Sequence, residues 1–172
     1  MEVTLVPRDE WLAQSRSGRY AGREFGPMTG TPYGVRRGPL LSPFGVPCTA
    51  PPWGLLAAID MRRGTVLWKV PLGTTRDIAP IWLNLGVPGL GGPLLTASGL
   101  VFVGATTDNY LRAISVQDGR ELWSGRLPAG GQASPMTYML PSTGKQYVVI
   151  AAGGHGKLGT KKGDSVVAYA LR

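Results

Sequence analysis

From Trp53 onward the chain reads as short apolar runs broken by glycine-bearing turns, with no sustained helical stripe. Two of these runs share one pattern. Ala58-Ile59-Asp60-Met61-Arg62-Arg63-Gly64-Thr65-Val66-Leu67-Trp68 and Ala113-Ile114-Ser115-Val116-Gln117-Asp118-Gly119-Arg120-Glu121-Leu122-Trp123 hold Ala-Ile, Gly and Leu-Trp at an offset of 55 residues. Met61 and Val116 are apolar at matched positions, and Ala168 opens a third copy at the same offset before the sequence ends. Each copy predicts a β-hairpin whose Gly takes the positive-φ position of the turn. The Trp that closes it can lie flat between neighbouring sheets while its N–H reaches a backbone acceptor in the next one.

Small sheets recurring at this spacing mark a β-propeller, and an ordinary β-sandwich with two similar hairpins is the alternative. Strands are predicted at 55–60, 65–70, 93–96, 100–104, 110–116, 121–125, 134–138, 146–151 and 165–171. The expected fold class is all-β: a partial propeller of about two and a half to three four-stranded blades. The first blade starts part-way and the last lacks a fourth strand, as in the carboxy-terminal part of a larger propeller whose ring closes through another segment. Residues 53–172 are assigned to blades. Residues 1–52 are expected to be an irregular arm or insertion, because Gly18, Gly22, Gly26, Gly30, Gly34, Gly38 and Gly45 alternate with prolines and only 3–6 looks strand-like.

Composition agrees with a turn-rich β-protein, at 26 Gly and 15 Pro in 172 residues. Cys48 is the only cysteine, which removes any intrachain disulfide and any cysteine-built zinc site. The formal charge of +8 is scattered along the chain, whereas a nucleic-acid binder needs its charge gathered on one face, so no nucleic-acid partner is expected. The apolar stretch 81–105 contains Gly86, Pro88, Gly89, Gly91, Gly92, Pro93 and Gly99, which argues against a spanning helix. The first ten residues carry neither the basic nor the apolar part of a signal peptide.

Candidate chemistry gathers in one insertion. Residues 152–164 separate two predicted strands by thirteen positions where the preceding blade uses five, 105–109, and they hold the sole histidine, His155, among Gly153, Gly154, Gly156 and Gly159. Such a loop brings backbone close to a ligand, with His155 titratable and Lys157 a fixed cation; a solvated basic turn is the plain alternative. It is no phosphate loop, since Thr160 stands where the lysine is required. Asp77 (beside Arg76) and Gln132 sit where propeller chains return to the central channel, so they are candidate cofactor ligands; a surface ion pair and an ordinary loop are the alternatives. No catalytic set and no metal-ligand cluster is evident.

Several runs carry a resemblance. Leu90-Gly91-Gly92-Pro93-Leu94, Gly104-Ala105-Thr106-Thr107-Asp108-Asn109-Tyr110-Leu111-Arg112-Ala113, the run from Leu127 through Gly130-Gly131-Gln132 to Tyr138, and Gly153-Gly154-His155-Gly156 resemble the carboxy-terminal end of the membrane-bound quinoprotein dehydrogenases of the glucose/quinate/shikimate type. The resemblance implies an eight-bladed propeller that holds pyrroloquinoline quinone (PQQ) over calcium or magnesium at the periplasmic face of the inner membrane. It implies oxidation of a sugar or polyol hydroxyl, with a catalytic Asp as base and ubiquinone as electron acceptor. His155 matches the family histidine near PQQ and substrate, and Gly154, Gln132 and Asp77 complete the expected cofactor contacts. The membrane helices, the catalytic Asp and the metal ligands match no position in this sequence and are expected in the remaining blades, so the isolated chain is expected to be inactive. A PQQ-free propeller scaffold that binds proteins is the competing function, and Gly-Gly-His-Gly argues against it.

Overall fold

A computed structural model describes residues 1–16, 23–43 and 46–170. Gly18, Gly22, Gly45 and Leu171, named above, lie outside these described residues. The chain forms two compact units, one of Met1–Ala50 with Gly156–Gly159 and one of Pro51–His155 with Thr160–Arg172.

The first unit is more regular than its glycines suggest. It contains β1 (Glu2–Pro7), α1 (Arg8–Arg16), β2 (Glu24–Pro27) and β3 (Tyr33–Gly38), with an antiparallel sheet in the order β1-β3-β2. Asp9 and Glu10 in the first turn of α1 and Arg16 in its last complement the helix dipole. Only Trp11 and Leu12 are large apolar residues in this helix, so it shows no hydrophobic stripe in sequence. Trp11 donates from Nε1 to the Val35 carbonyl (3.3 Å), and its indole fills the space a side chain at Gly34 would need. Gly34 thus marks close packing of a ring on a strand rather than irregular backbone.

In the second unit the strands are β4 (Leu55–Asp60), β5 (Thr65–Pro71), β6 (Leu94–Leu95), β7 (Leu100–Val103), β8 (Tyr110–Ser115), β9 (Glu121–Arg126), β10 (Met136–Leu140), β11 (Lys145–Ala152) and β12 (Ser165–Ala170). They pair only with sequence neighbours, all antiparallel, as sheets β4-β5, β6-β7-β8-β9 and β10-β11-β12. The middle sheet is a complete four-stranded blade, and the fold is a partial propeller.

The repeat has a structural meaning in each copy. Gly64 (φ 65°) and Gly119 (φ 74°) close equivalent turns, donating to the Asp60 carbonyl at 2.7 Å and the Ser115 carbonyl at 3.0 Å. Both hairpins then slip register at the same place. Ala58 faces Trp68 while Ile59 faces Val66, and Ala113 faces Trp123 while Ile114 faces Glu121. Leu67 and Leu122 are therefore the extra residues of two β-bulges, and a small Ala lies across from each Trp. The Trp68 Nε1 donates to the Val116 carbonyl of the next sheet at 2.7 Å, the inter-sheet contact that the sequence predicts. Trp123 instead meets Tyr169 edge-on, with centroids 4.8 Å apart at 72°.

Two apolar cores flank the middle sheet. Leu72, Val101, Val103, Ala105 and Ile114 pack with Leu56, Trp68 and Val116 on one side, and Leu111, Leu127, Ala129, Ile150 and Ala152 pack with Phe102, Val148 and Val167 on the other. With both faces covered, β8 is buried at five successive positions, 111–115.

Candidate functional site

The loop between β7 and β8 is held by a buried charge pair. Asp108 is fully buried and accepts from the Thr106 hydroxyl (2.6 Å), from the Thr74 amide (2.8 Å) and hydroxyl (2.9 Å), and from both terminal nitrogens of Arg112. Arg112, itself buried within β8, also donates from Nε to Glu121 Oε2 on β9 at 3.1 Å. Burial alone pushes the Asp108 carboxyl up; the hydrogen bonds and charge of Arg112, with those of Thr106 and Thr74, outweigh it and hold the group below its ordinary value. The pair thus fixes the loop to the end of β5, through Thr74, 34 residues earlier in sequence.

A chain of polar contacts continues from this loop to the histidine. Gln132 donates from Nε2 to the Thr106 carbonyl (3.0 Å) and accepts at Oε1 from the Thr160 hydroxyl (2.9 Å). The Thr160 oxygen in turn accepts from the His155 amide (2.8 Å). Two backbone bonds run alongside, from the Gly154 amide to the Gly130 carbonyl (2.8 Å) and from the Gly130 amide to the Lys161 carbonyl (3.0 Å). The long loop is therefore strapped to the Gly130-Gly131-Gln132 turn of the preceding segment. At the end of the strap, the His155 Nδ1 is buried with no hydrogen-bond partner among the described residues. A buried polar atom in that state costs about 1–3 kcal/mol unless a further group meets it.

The four candidate residues fare differently. His155, Gly154 and Gln132 come together through the bonds just described; Asp77 is joined to none of them. Asp77 adopts φ 68° and turns its carboxylate to Arg126, which grips it from Nε (3.0 Å) and Nη2 (3.1 Å), rather than to its neighbour Arg76. Gly154 has φ 71°, and a side chain there would run into the backbone of Lys161 and Lys162, so its own loop already demands glycine. In the first unit Lys157 lies 2.9 Å from Glu24 Oε1, and this contact with that of Arg37 keeps the Glu24 carboxyl below its ordinary range.

Thr160, Thr106, Asp108 and Arg112 were not singled out from sequence. One signal was available: Arg112 interrupts the apolar run Leu111-Arg112-Ala113-Ile114, and a charge inside a fully buried strand needs a partner. Thr160 gave no such signal, because its two partners stand five and 28 residues away. Among the described residues no group of three or more His, Cys, Asp or Glu comes together to hold a metal ion. Nor is any helix among them long and apolar enough to cross a membrane.

Residues 1–148 match the family described as PQQ: Glucose/ethanol/alcohol dehydrogenase, beta-propeller domain. The chain belongs to this family. It is 55% identical over 174 residues to the quinoprotein glucose dehydrogenase A of Acinetobacter calcoaceticus, covering 97% of this chain and 21% of that protein. It is 45% identical over 178 residues to the probable quinate dehydrogenase (quinone) of Xanthomonas campestris pv. juglandis, covering 98% and 22%. Among solved structures, a europium-containing methanol dehydrogenase superposes with a TM-score of 0.50 at 27% identity, over 76% of this chain and 20% of that one. The chain thus spans about a fifth of the length of the relatives it matches.

Proposed function

We propose that these residues form the carboxy-terminal part of a PQQ-dependent dehydrogenase that oxidises a hydroxyl of a sugar or polyol. The observation that carries this reading is the buried, unpartnered Nδ1 of His155 at the end of the Gln132–Thr160 strap. PQQ, when bound, supplies the two-electron acceptor that takes hydride from the carbon bearing the hydroxyl. His155 then offers its ring nitrogen to an oxygen of the cofactor or of the substrate, and it orients that oxygen without acting as the principal base. Gln132 and Thr160 fix the position of His155, because each has one hydrogen bond on either side of it along the strap. Gly154 keeps the loop backbone in its required turn, and Asp77, paired with Arg126, is a proposed cofactor contact apart from the strap.

The relatives' names support glucose and quinate as substrate types. In this proposal, a divalent cation and the catalytic base would be held by parts of the enzyme outside this chain. Electrons pass to ubiquinone at the periplasmic face of the inner membrane. The test is PQQ titration into the full-length apoenzyme, with sugar kinetics, comparing wild type with His155→Asn. Asparagine keeps one hydrogen-bonding group of similar reach, so PQQ still binds, and affinity for cofactor or sugar weakens by about 1–2 kcal/mol, the scale of one misaligned hydrogen bond. If neither the cofactor nor the sugar dependence moves, the loop is only a long turn.

A further inference from the structure

The proposed cofactor site leaves unused an open cleft of about 390 Å³ between the end of β5 and the β8–β9 hairpin. Its walls include Arg76, Trp82, Asn84, Tyr110, Ile114 and Ser124. The Arg76 guanidinium lies over the Trp82 ring, 4.7 Å from its centroid, and over the Tyr110 ring at 5.2 Å. Aromatic faces on a guanidinium hold it by cation–π attraction while leaving its N–H donors available, which suits it to receive a carboxylate in two parallel bonds.

The charges around the cleft show which one is uncompensated. Arg112 meets two carboxylates, Asp108 and Glu121, one more negative charge than it carries, and Arg120 has Asp118 at 3.8 Å. Asp77, next to Arg76 in sequence, is turned away by its positive φ and gripped by Arg126. Among the described residues no carboxylate lies within ion-pair distance of Arg76. Arg76 is thus the cation of the cleft without a carboxylate partner, and the spare negative charge of Glu121 in the cleft wall disfavours a phosphate dianion more than a monoanion. Beside it are a flat indole, apolar surface from Pro71 and Ile114, and the polar groups of Asn84 and Ser124.

We propose that this cleft binds a small organic monocarboxylate, its carboxylate on Arg76 and its body laid against Trp82. The side chain is already held between two rings, so binding immobilises few new torsions. This is a second site, separate from the His155 strap, and it rests on geometry that needs no cofactor.

The probe is gluconate, which pairs one carboxylate with hydroxyls that Asn84 and Ser124 can meet. It is titrated into the full native chain without PQQ, and tryptophan fluorescence is followed. The expected result is a saturable change that disappears in Trp82→Phe, since Trp82 is one of five tryptophans and the only one in the cleft. Arg76→Gln should weaken binding about tenfold or more, the scale of a lost charge-assisted contact. Arg76→Lys keeps the charge but not the fork and should fall between the two, which keeps the test decisive should Arg76→Gln fail to fold. Three outcomes overturn the proposal: no saturation with gluconate, affinity unchanged when Arg76 is replaced, or inorganic phosphate competing as well as gluconate at equal concentration. The titration involves neither PQQ nor turnover, so its failure leaves the dehydrogenase proposal standing, and failure of that proposal leaves this one standing.

Discussion

The hairpins β4–β5 and β8–β9 share their turn, their bulge and their tryptophan, yet they occupy different environments. β8 is buried from Leu111 to Ser115, while β4 alternates between exposed and half-buried, with Leu55 and Ile59 more than half exposed. The second hairpin carries Arg112 where the first has Ala57, 55 residues earlier. Local sequence thus specifies the hairpin itself, including which residue bulges, whereas burial and the buried charge come from the strands packed on either side. Substituting equivalent positions in the two copies separates these contributions.

The largest difference should come from the charge pair. Asp108→Ala leaves Arg112 buried beside Glu121 alone and should cost about 3–5 kcal/mol in a denaturant titration, the usual penalty for stranding one partner of a buried pair. Ala57 has no buried charge to strand, so truncating it has no such effect. The same pair has a pH signature. The carboxyl of Asp108 is held below its ordinary value of 3.8 in the folded state, so the stability it contributes is present above that value and is lost as pH falls through the lower, folded one. A stability–pH profile of wild type against Asp108→Asn should therefore diverge least in strong acid; profiles that stay parallel down to pH 2 would contradict this.

Next in size is the inter-sheet tryptophan. Trp68→Ala removes a large aromatic and its 2.7 Å hydrogen bond to the Val116 carbonyl, and it should cost about 3 kcal/mol by thermal or chemical unfolding. A loss under 1 kcal/mol would mean that the neighbouring sheet closes over the gap.

The turn glycines give a smaller and more discriminating contrast. A Cβ at Gly64 meets nothing within 4 Å, so Gly64→Ala should cost only the left-handed backbone penalty of about 1 kcal/mol. A Cβ at Gly119 would lie 2.7 Å from the Trp68 ring, so Gly119→Ala should cost about 2 kcal/mol or more. Equal losses would show that the inter-sheet packing is looser than the distance implies. Smallest of all, Asp60→Ala removes the carboxylate that accepts from the Arg62 (2.9 Å) and Arg63 (3.2 Å) amides, for a loss of about 0.5–1 kcal/mol. Asp118→Ala, which removes the bond from the Arg120 amide, should match it, since both turns face solvent.

The contrast also explains what could be read from sequence. Gly64, Gly119, Trp68 and Trp123 hold fixed places in a short hairpin pattern, so their spacing betrays both the hairpins and the blade repeat, although the two indoles find their partners, Val116 and Tyr169, far along the chain. The expected strands 55–60 and 110–116 appear as Leu55–Asp60 and Tyr110–Ser115. The first unit was opaque because α1 has no apolar stripe and because Gly34 serves packing by Trp11, which looks in sequence like a loop residue. In the candidate site, His155 stood out as the sole histidine in a long insertion. The strap that positions it did not, because Thr160 to Gln132 and Gln132 to Thr106 are side-chain bonds spanning 28 and 26 residues. Residue type alone does not reveal such pairings.

Strand order has a further consequence, for the order of assembly. In the second unit every strand pairs with its neighbour in sequence, so each sheet can form as soon as its last strand leaves the ribosome, with short loops to close everywhere except between β11 and β12. Thr74 must nevertheless wait for Asp108, and Gln132 for Thr160, before the links between sheets exist. The first unit follows another schedule, since β1 pairs with β3 and stays unpaired until β2 and α1 have been made. A nascent chain halted after β2 would hold an unpaired first strand, whereas one halted after β9 would already hold its complete four-stranded sheet.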